Sequence, residues 1–201
     1  VALAQYEDHV KQAVKSGADA IISGAGLPLK LPEFVKESAT KIAPIVSSGK
    51  AAKLILKSWD RHYAKTAEFI VIEGWKAGGH LGFKKEELMN HACQSLEEIF
   101  KDVKEAIAPY VEKYAHKIPV FVAGGIYTRE DVQSFMELGA DGVQVGTRFI
   151  ATKECDASQA YKEAFLSAKE EDIMLVQSPV GMPGRALHNA FMDKVIKEKQ
   201  P

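Results

Sequence analysis

Short apolar runs rich in β-branched residues alternate along the chain with longer segments whose apolar positions recur at helical spacing. An apolar run of four or five residues between turn signals is typical of a strand buried on both faces. The strands predicted in this way are 20–23, 44–47, 69–73, 120–123 and 143–146, with 1–3 as a short additional candidate. Strands that alternate with helices predict βαβ units and a parallel sheet.

The intervening segments predict helices that cover this sheet. Apolar side chains recur on one face of a helix over residues 6–16, and Thr128-x-x-Asp131 predicts a capping box at the start of another helix. The stretch 81–116 is too long for an ordinary connection between a strand and a helix. We expect it to contain a helix over residues 86–100 before the helix that leads into the next strand.

A repeated unit favours a barrel over an open sheet. Residues 17–24 (GADAIISG) return as residues 139–146 (GADGVQVG), and residues 67–74 (AEFIVIEG) form a looser third copy. In each copy a helix ends, a short acidic turn follows, a buried strand runs, and a glycine lets backbone approach a ligand. Such units predict an α/β fold of the TIM (β/α)8 barrel type, whose site lies at the carboxyl ends of the strands. An open doubly wound sheet is the alternative.

Composition narrows the class of protein. With 201 residues, 46% hydrophobic and 26% charged, the chain is predicted to form one soluble globular domain over residues 1–201. A formal net charge of −1 without a basic run argues against nucleic-acid and membrane partners and favours small ligands. Cys93 and Cys155 lack CxxC spacing, so neither a disulfide framework nor a metal site is predicted, and a cytoplasmic location is expected. A homo-oligomer is compatible with this composition.

Two strand ends carry glycines that could hold a phosphate. The strand at 120–123 ends in Gly124-Gly125, and the next strand ends in Gly146-Thr147. Glycines leave backbone N–H groups bare and the threonine adds a hydroxyl, so two adjacent strands would present donors to one anion without a lysine. Barrels commonly place a phosphate site beyond their last two strands. Plain turns are the alternative interpretation.

A glycine-rich loop with one histidine follows the third strand. Residues 74–82 (GWKAGGHLG) contain four glycines, which indicates backbone pressed against a flat or bulky group. His80 stands where a barrel places catalytic side chains, and an imidazole can exchange a proton near neutral pH. A loop histidine that only hydrogen-bonds locally is the alternative. Glu73 is a candidate second polar group, and Lys76 is expected to be solvated rather than catalytic.

Three motifs in this order resemble those of one flavoenzyme family. They are Glu73-Gly74-x-x-Ala77-Gly78-Gly79-His80-x-Gly82, Ala123-Gly124-Gly125-Ile126 and Gly139-Ala140-Asp141-Gly142-Val143-Gln144-Val145-Gly146-Thr147-Arg148-Phe149. The resemblance is to the nitronate monooxygenases, formerly nitropropane dioxygenases, a family that also includes flavin-type enoyl-acyl-carrier-protein reductases. It extends from the start of the chain to residues 181–185.

The resemblance implies an FMN-containing TIM barrel. It assigns contacts with FMN to Gly74, Gly79, Gly125, Gln144, Val145, Gly146 and Thr147, and gives Gly124 the role of supporting the phosphate turn. His80 would face the flavin and the substrate, and would either remove a proton from a nitroalkane or orient a nitronate. In the nitronate enzymes the substrate anion reduces FMN and O₂ reoxidises it. The implied partner is a small-molecule substrate, a nitronate or an enoyl thioester.

Two departures from the family pattern bear on these expectations. Many relatives carry an acidic residue where Lys76 stands, which affects the substrate class and leaves the FMN motifs intact. Family members also begin with two further strands that nothing here matches, and they continue beyond the last helical residues. A sheet that lacks these strands would leave two unpaired edges, so we expect the chain to be part of a longer protein with an incomplete barrel here.

Four functions stay open from the sequence. The first is oxidation of alkyl nitronates with O₂, and the second is NADH-dependent reduction of an enoyl chain on a carrier protein. The third is a flavin-free isomerase or synthase that binds a sugar phosphate, and the fourth is a non-catalytic binding protein. Residues 177–185, rich in glycine and proline, are expected to route the chain along the barrel, with a lid over the substrate as the alternative.

Overall fold

The computed structural model describes residues 4–178 and 180–198. Its strands are β1 (Ala20–Ser23), β2 (Lys41–Val46), β3 (Ile70–Glu73), β4 (Gly79–His80), β5 (Val120–Ala123), β6 (Gly142–Gln144), β7 (Ile173–Gln177) and β8 (Pro183–Leu187). Its α-helices are α1 (Tyr6–Lys15), α2 (Leu31–Phe34), α3 (Gly49–Tyr63), α4 (Lys85–Met89), α5 (Leu96–Tyr114), α6 (Arg129–Glu137), α7 (Thr147–Ile150), α8 (Gln159–Ser167) and α9 (Ala190–Glu198). None of these helices has the length and apolar composition that crossing a membrane requires.

The described chain divides into two compact units. The first comprises residues 4–77 and 82–144, and the second comprises residues 78–81, 145–178 and 180–198. The first unit contains a parallel sheet of five strands in the order β1-β2-β3-β5-β6, and the second contains an antiparallel sheet in the order β4-β8-β7. The prediction of a single domain over residues 1–201 stays a prediction.

The core of the first unit lies between its sheet and the helices α3 and α5. Ile70 and Ile72 of the central strand β3 and Val120 and Val122 of β5 are fully buried, as expected for parallel strands covered by helices. Trp59 of α3 is also fully buried, and its indole N–H donates to the carbonyl oxygen of Pro28 at 2.9 Å. The hydrogen bond satisfies the polar edge of this large side chain within the core.

The repeated Gly-Ala-Asp turns have the geometry that the sequence predicts. Gly17 follows α1 with φ +78°, and Gly139 follows α6 with φ +98°, a region that glycine adopts without steric cost. The Asp141 carboxylate accepts a hydrogen bond from the Val120 N–H at 2.9 Å and pairs with Lys117. This acidic turn therefore ties the start of β6 to the start of β5.

The predicted strands of the parallel sheet are confirmed, with shifted ends. Strands β1 and β5 have the predicted bounds, β2 begins at Lys41 instead of 44, and β3 begins at Ile70. Strand β6 ends at Gln144 instead of 146, because Gly146 takes φ −112° and ψ −74° and is the N-cap residue of the short helix α7. The candidate strand at 1–3 lies outside the described residues.

The prediction of a helix over residues 86–100 is wrong. Helix α4 ends at Met89, and α5 begins at Leu96. The division follows from a capping box, in which Ser95 Oγ accepts from the Glu98 N–H at 3.2 Å and the Glu98 carboxylate accepts from the Ser95 N–H at 2.8 Å. These two hydrogen bonds satisfy the backbone N–H groups of Ser95 and Glu98, which have no partner within the helix. They therefore start a new helix within the range 86–100 that was predicted to be one helix.

The antiparallel sheet of the second unit was not predicted. Strands β7 and β8 are antiparallel neighbours, in which Gln177 pairs with Pro183, and the Ser178 N–H donates to the Met182 carbonyl oxygen at 2.9 Å. Strand β4 joins them by pairing Gly79 with Arg185 and His80 with Gly184. Of the segment predicted to route the chain, Gln177 and residues 183–185 are thus strand residues of this sheet.

Replacing Gly49 by alanine tests the contact between α3 and α5. Helix propensity alone favours alanine over glycine by about 1 kcal/mol. A Cβ at Gly49 would, however, lie 2.8 Å from the backbone carbonyl carbon and oxygen of Asp102. Because backbone cannot move aside as a flexible side chain can, we expect Gly49→Ala to lower the free energy of unfolding by about 1–3 kcal/mol.

Urea denaturation measures this change. Lys53→Ala serves as the control, since Lys53 is an exposed residue of the same helix. A Gly49→Ala variant as stable as this control, or more stable, would show that the two helices do not approach as closely as described.

Candidate functional site

The carboxyl edge of the parallel sheet carries polar groups of the first unit. Glu73 ends β3, Gln144 ends β6, and Gly124 directly follows β5. The strand register pairs Glu73 with Ala123 and Ala123 with Gln144. Since side chains paired in register on parallel strands leave the same face of a sheet, Glu73 and Gln144 belong to one row with Ala123 between them.

Gly74 and Gly124 bring two strand ends into backbone contact. The Gly74 N–H donates to the Ala123 carbonyl oxygen at 2.9 Å. A Cβ at Gly124 would lie 2.7 Å from the oxygen and 2.9 Å from the nitrogen of Gly74, and a Cβ at Gly74 would lie 3.2 Å from the Gly124 oxygen. Close packing of backbone on backbone therefore explains both glycines without a ligand.

The turn after β5 offers unused hydrogen-bond donors. Gly124 and Gly125 have φ values of +90° and +99°, which require glycine. Among the described residues, no acceptor takes the N–H groups of Gly124, Gly125 and Ile126. Successive free N–H groups of this kind are an anion-binding arrangement in proteins. The bare donors that the sequence predicts are thus present in the turn after β5, and their binding of a phosphate stays a prediction.

The capping box that follows this turn is confirmed. Thr128 Oγ1 accepts from the Asp131 N–H at 3.1 Å. The Asp131 carboxylate accepts from the N–H groups of Thr128 at 2.7 Å and Tyr127 at 2.9 Å. These backbone hydrogen bonds, first that of Thr128 and then that of Tyr127, lower the pKa of Asp131. The carboxylate thus fixes the start of α6 next to the glycine turn.

Glu73 is a half-buried carboxyl group that accepts no hydrogen bond within the described chain. Burial raises its pKa from an ordinary value of 4.5 to about 6, because a less hydrated carboxylate is harder to ionise. A carboxyl group with this pKa at the carboxyl edge of a parallel sheet can accept or release a proton near neutral pH. Sequence reasoning included Glu73 only as a second polar group.

Glu73→Gln should raise the stability of the ligand-free protein at alkaline pH. The folded state holds this proton more tightly than the unfolded state, so the free energy of unfolding falls as pH rises from 4.5 through about 6. Glutamine removes the cost of ionisation, and we expect a gain of about 1 kcal/mol at pH 8 after allowance for solvent screening, with little gain at pH 4.

Urea denaturation of both proteins at the two pH values checks this expectation. Glu86→Gln, at an exposed carboxylate in α4, is the control, and it should change the pH dependence little. If Glu73→Gln is less stable than the parent protein at pH 8, the ionised carboxylate has a favourable partner and its burial is not the dominant influence.

The second unit contains His80. Its strand β4 pairs with β8, and a Cβ at Gly184 would lie 2.9 Å from the Gly79 oxygen, so the backbones of these two strands approach closely at this point. The His80 side chain is exposed and makes no hydrogen bond to another described residue. The alternative of a histidine held by local hydrogen bonds therefore finds no support in the described part of the chain.

Gly146 and Thr147 also lie in the second unit, at the start of α7. No acceptor in the described ranges takes their N–H groups, and a Cβ at Gly146 would meet no atom within 4 Å. Gly146 lines an open depression of about 680 Å³ together with five further residues: Phe149, Ile150, Thr152, Glu154 and Cys155. Phe149 and Ile150 belong to α7, and Phe149 is the last residue of the third motif. Thr152, Glu154 and Cys155 follow α7 in an irregular segment that no motif marks.

The nine predicted site residues are thus divided between the units. The first unit holds Gly74, Gly124, Gly125 and Gln144, and the second holds Gly79, His80, Val145, Gly146 and Thr147. The structure brings Gly74 and Gly124 together, and their contacts with FMN stay predictions, as do those of the other residues. Among the described residues, no group of three or more histidine, cysteine, aspartate or glutamate side chains is placed to hold a metal ion.

The first unit has a parallel sheet with helices between its strands. Glycines follow two of these strands, and polar groups lie at the carboxyl edge. These features define an α/β protein of the class that binds ligands at its strand ends.

Among solved structures, FabK from Thermotoga maritima aligns with a TM-score of 0.76 and 27% identity, over 98% of this chain and 55% of its own. Nitroalkane oxidase from Streptomyces ansochromogenes aligns with a TM-score of 0.72 and 23% identity, over 94% of this chain and 50% of its own, which shows the fold alone. Both have TIM-barrel-like folds, and the predicted α/β fold is confirmed.

Sequence comparison identifies the family. The model of the nitronate monooxygenase family matches residues 2–201. A probable nitronate monooxygenase of Staphylococcus saprophyticus is 28% identical over 192 residues, which are 95% of this chain and 50% of that protein. The chain belongs to the nitronate monooxygenase family, whose members are flavin-dependent oxidoreductases, as its motifs predict. It spans about half the length of the curated relatives that it matches.

Proposed function

We propose that the protein is an FMN-dependent oxidoreductase that oxidises alkyl nitronates with O₂, a nitronate monooxygenase. The observation that carries this proposal is the turn after β5, where successive backbone N–H groups lack an acceptor in the described chain, within a sequence that matches the family over residues 2–201. Free donors at the carboxyl end of a parallel strand suit the phosphate of FMN.

The residues of this turn fit a phosphate group in their chemistry. Gly124 and Gly125 have positive φ values and consecutive N–H groups without an acceptor among the described residues, and Gly125 is exposed. The Gly74 backbone holds Gly124 from the other side, so the turn does not need a ligand to keep its shape. We assign the same role toward phosphate to the N–H groups of Gly146 and Thr147, on the family resemblance and on their lack of an acceptor among the described residues.

The remaining assignments concern the flavin ring and the substrate. We propose that Gly74, Gly79, Gln144 and Val145 contact FMN. When bound, FMN would supply the redox chemistry, accepting electrons from the nitronate and passing them to O₂. The Glu73 carboxyl, in one row with Gln144, would add a polar group near this cofactor.

His80 is the proposed proton acceptor. Its exposed imidazole makes no hydrogen bond within the described chain, so one ring nitrogen is available to a substrate. With a neutral nitroalkane it would accept a proton from the carbon next to the nitro group, and with a nitronate it would donate a hydrogen bond to an oxygen of the anion. An imidazole can fill both roles, because one ring nitrogen accepts a proton and the other carries an N–H.

His80→Ala should separate these two roles. Loss of a general base lowers the rate by about 10²–10⁴-fold, so we expect this fall in kcat/KM with a neutral nitroalkane and a smaller fall with its preformed nitronate. Steady-state oxygen consumption with nitroethane and with nitroethane nitronate provides the measurement. The control is His9→Ala, at an exposed histidine of α1. Unchanged turnover of both substrates at intact flavin content would make His80 a purely structural residue.

The electron donor of the bound flavin distinguishes nitronate oxidation from the alternatives. We expect the purified protein to show flavin absorbance, and to release FMN on denaturation. Under anaerobic conditions, propionate 3-nitronate or nitroethane nitronate should bleach this absorbance faster than NADH does. Faster bleaching by NADH would favour the enoyl reductase alternative and contradict the proposal. Protein without any flavin absorbance, and unable to take up added FMN, would favour a flavin-free isomerase or synthase.

A further inference from the structure

The side chain of Lys76 lies across the glycine turn that follows β5. Its Cβ and Cδ are each 3.1 Å, and its Cγ 3.7 Å, from the position that a Cβ of Gly125 would occupy. The aliphatic stem therefore packs on the turn, where any side chain at position 125 would displace it. Long lysine stems commonly cover a surface in this way while the ammonium group stays in water.

The ammonium group of Lys76 has an aromatic neighbour. Its Nζ lies 5.5 Å from the centre of the Trp75 ring, within the range of a cation–π contact. Trp75 in turn meets the His91 ring edge to face, with 6.2 Å between the ring centres. In the described part of the chain, Lys76 forms no ion pair with a carboxylate. Its ammonium group therefore lies beside the Trp75 ring without a carboxylate bound to it in an ion pair.

The charge of Lys76 also acts on the start of α6. The pKa of Asp131 is lowered first by the backbone hydrogen bonds of Thr128 and Tyr127, then by its side-chain bond with Thr128, and also by the charge of Lys76. Lys76 and Asp131 thus stand within electrostatic reach of each other. An anion at the glycine turn would be repelled by the Asp131 carboxylate and attracted by the Lys76 ammonium.

We propose that Lys76 is the side-chain cation of an anion site at the Gly124–Gly125 turn, and that this site takes the phosphate monoester group of the cofactor. The assignment of that phosphate to FMN rests on the function proposed above. Backbone N–H groups carry only partial charges, whereas a phosphate monoester carries nearly two negative charges near neutral pH. Lys76 supplies the full positive charge, and its packed stem keeps that charge beside the free N–H groups. The sequence had suggested a solvated Lys76 and a phosphate held without lysine.

A comparison of FMN with riboflavin tests the proposal, since the two flavins share a ring and differ in the phosphate. Flavin is removed from the purified protein, and the dissociation constants of both flavins are measured by fluorescence titration. We expect Lys76→Met to weaken FMN binding about tenfold, as for a lost bond to a charged group, and to change riboflavin binding less than twofold. Lys76→Arg should restore most of the FMN affinity, and added salt should reduce the difference between Lys76→Met and the parent protein.

Lys57→Met is the matched control, because Lys57 is an exposed lysine of α3 in the same unit. An equal loss of FMN and riboflavin affinity in Lys76→Met would overturn the proposal, because the stem would then act through packing alone. Unchanged FMN affinity would overturn it as well.

Inorganic phosphate separates failure of this proposal from failure of the proposed function. If the parent protein binds neither flavin, the FMN assignment is wrong. Phosphorus NMR line broadening of inorganic phosphate would still support the anion site if Lys76→Met abolishes it and Lys57→Met does not. Broadening that is absent, or equal in all variants, would overturn the anion site itself.

Discussion

The backbone contact between Gly74 and Gly124 is the constraint on which the carboxyl edge of the parallel sheet depends. The Gly74 N–H donates a hydrogen bond to the Ala123 oxygen, and the Gly74 backbone lies too close to Gly124 to admit a Cβ there. These two contacts hold the ends of β3 and β5 together. The loop with Lys76 and the turn with Gly125 leave from these two locked points. The positions of this loop and this turn therefore follow from the pairing of β3 with β5, which also fixes where the free N–H groups of the turn lie.

Much of the parallel sheet could be predicted because its strands are short apolar runs, of which the inner strands β3 and β5 are buried on both faces while the outer strands β1 and β6 are only partly buried. A strand such as Val120–Ala123 is apolar at every position, and a glycine marks its end, so both bounds follow from the sequence. The start of β2 could not be found in this way, because Lys41 is exposed and polar while its backbone pairs with Ala20. Strand β8 contains Pro183 and Gly184, which are unfavourable in strands, and its pairing with β4 and β7 defines it.

In the candidate site too, features that depend on a few neighbouring residues could be predicted, and features that depend on the packing of distant segments could not. The glycine turn and its capping box are encoded within a few residues, since Gly124 and Gly125 need positive φ and Thr128-x-x-Asp131 caps a helix. The raised pKa of Glu73 depends on burial, and the placement of Lys76 on Gly125 joins two loops that are distant in sequence. No pattern in the sequence reports either of these, because both arise only when β3 and β5 pair.

The Asp131 carboxylate determines which part of the loop after β5 is open to a ligand. It already occupies the N–H groups of Tyr127 and Thr128, which leaves the donors of Gly124 to Ile126. The loop is therefore ordered by the protein itself before an anion arrives, and little chain entropy is lost when the anion binds. Association at this turn should then be governed by diffusion and charge, without a slow step of loop closure.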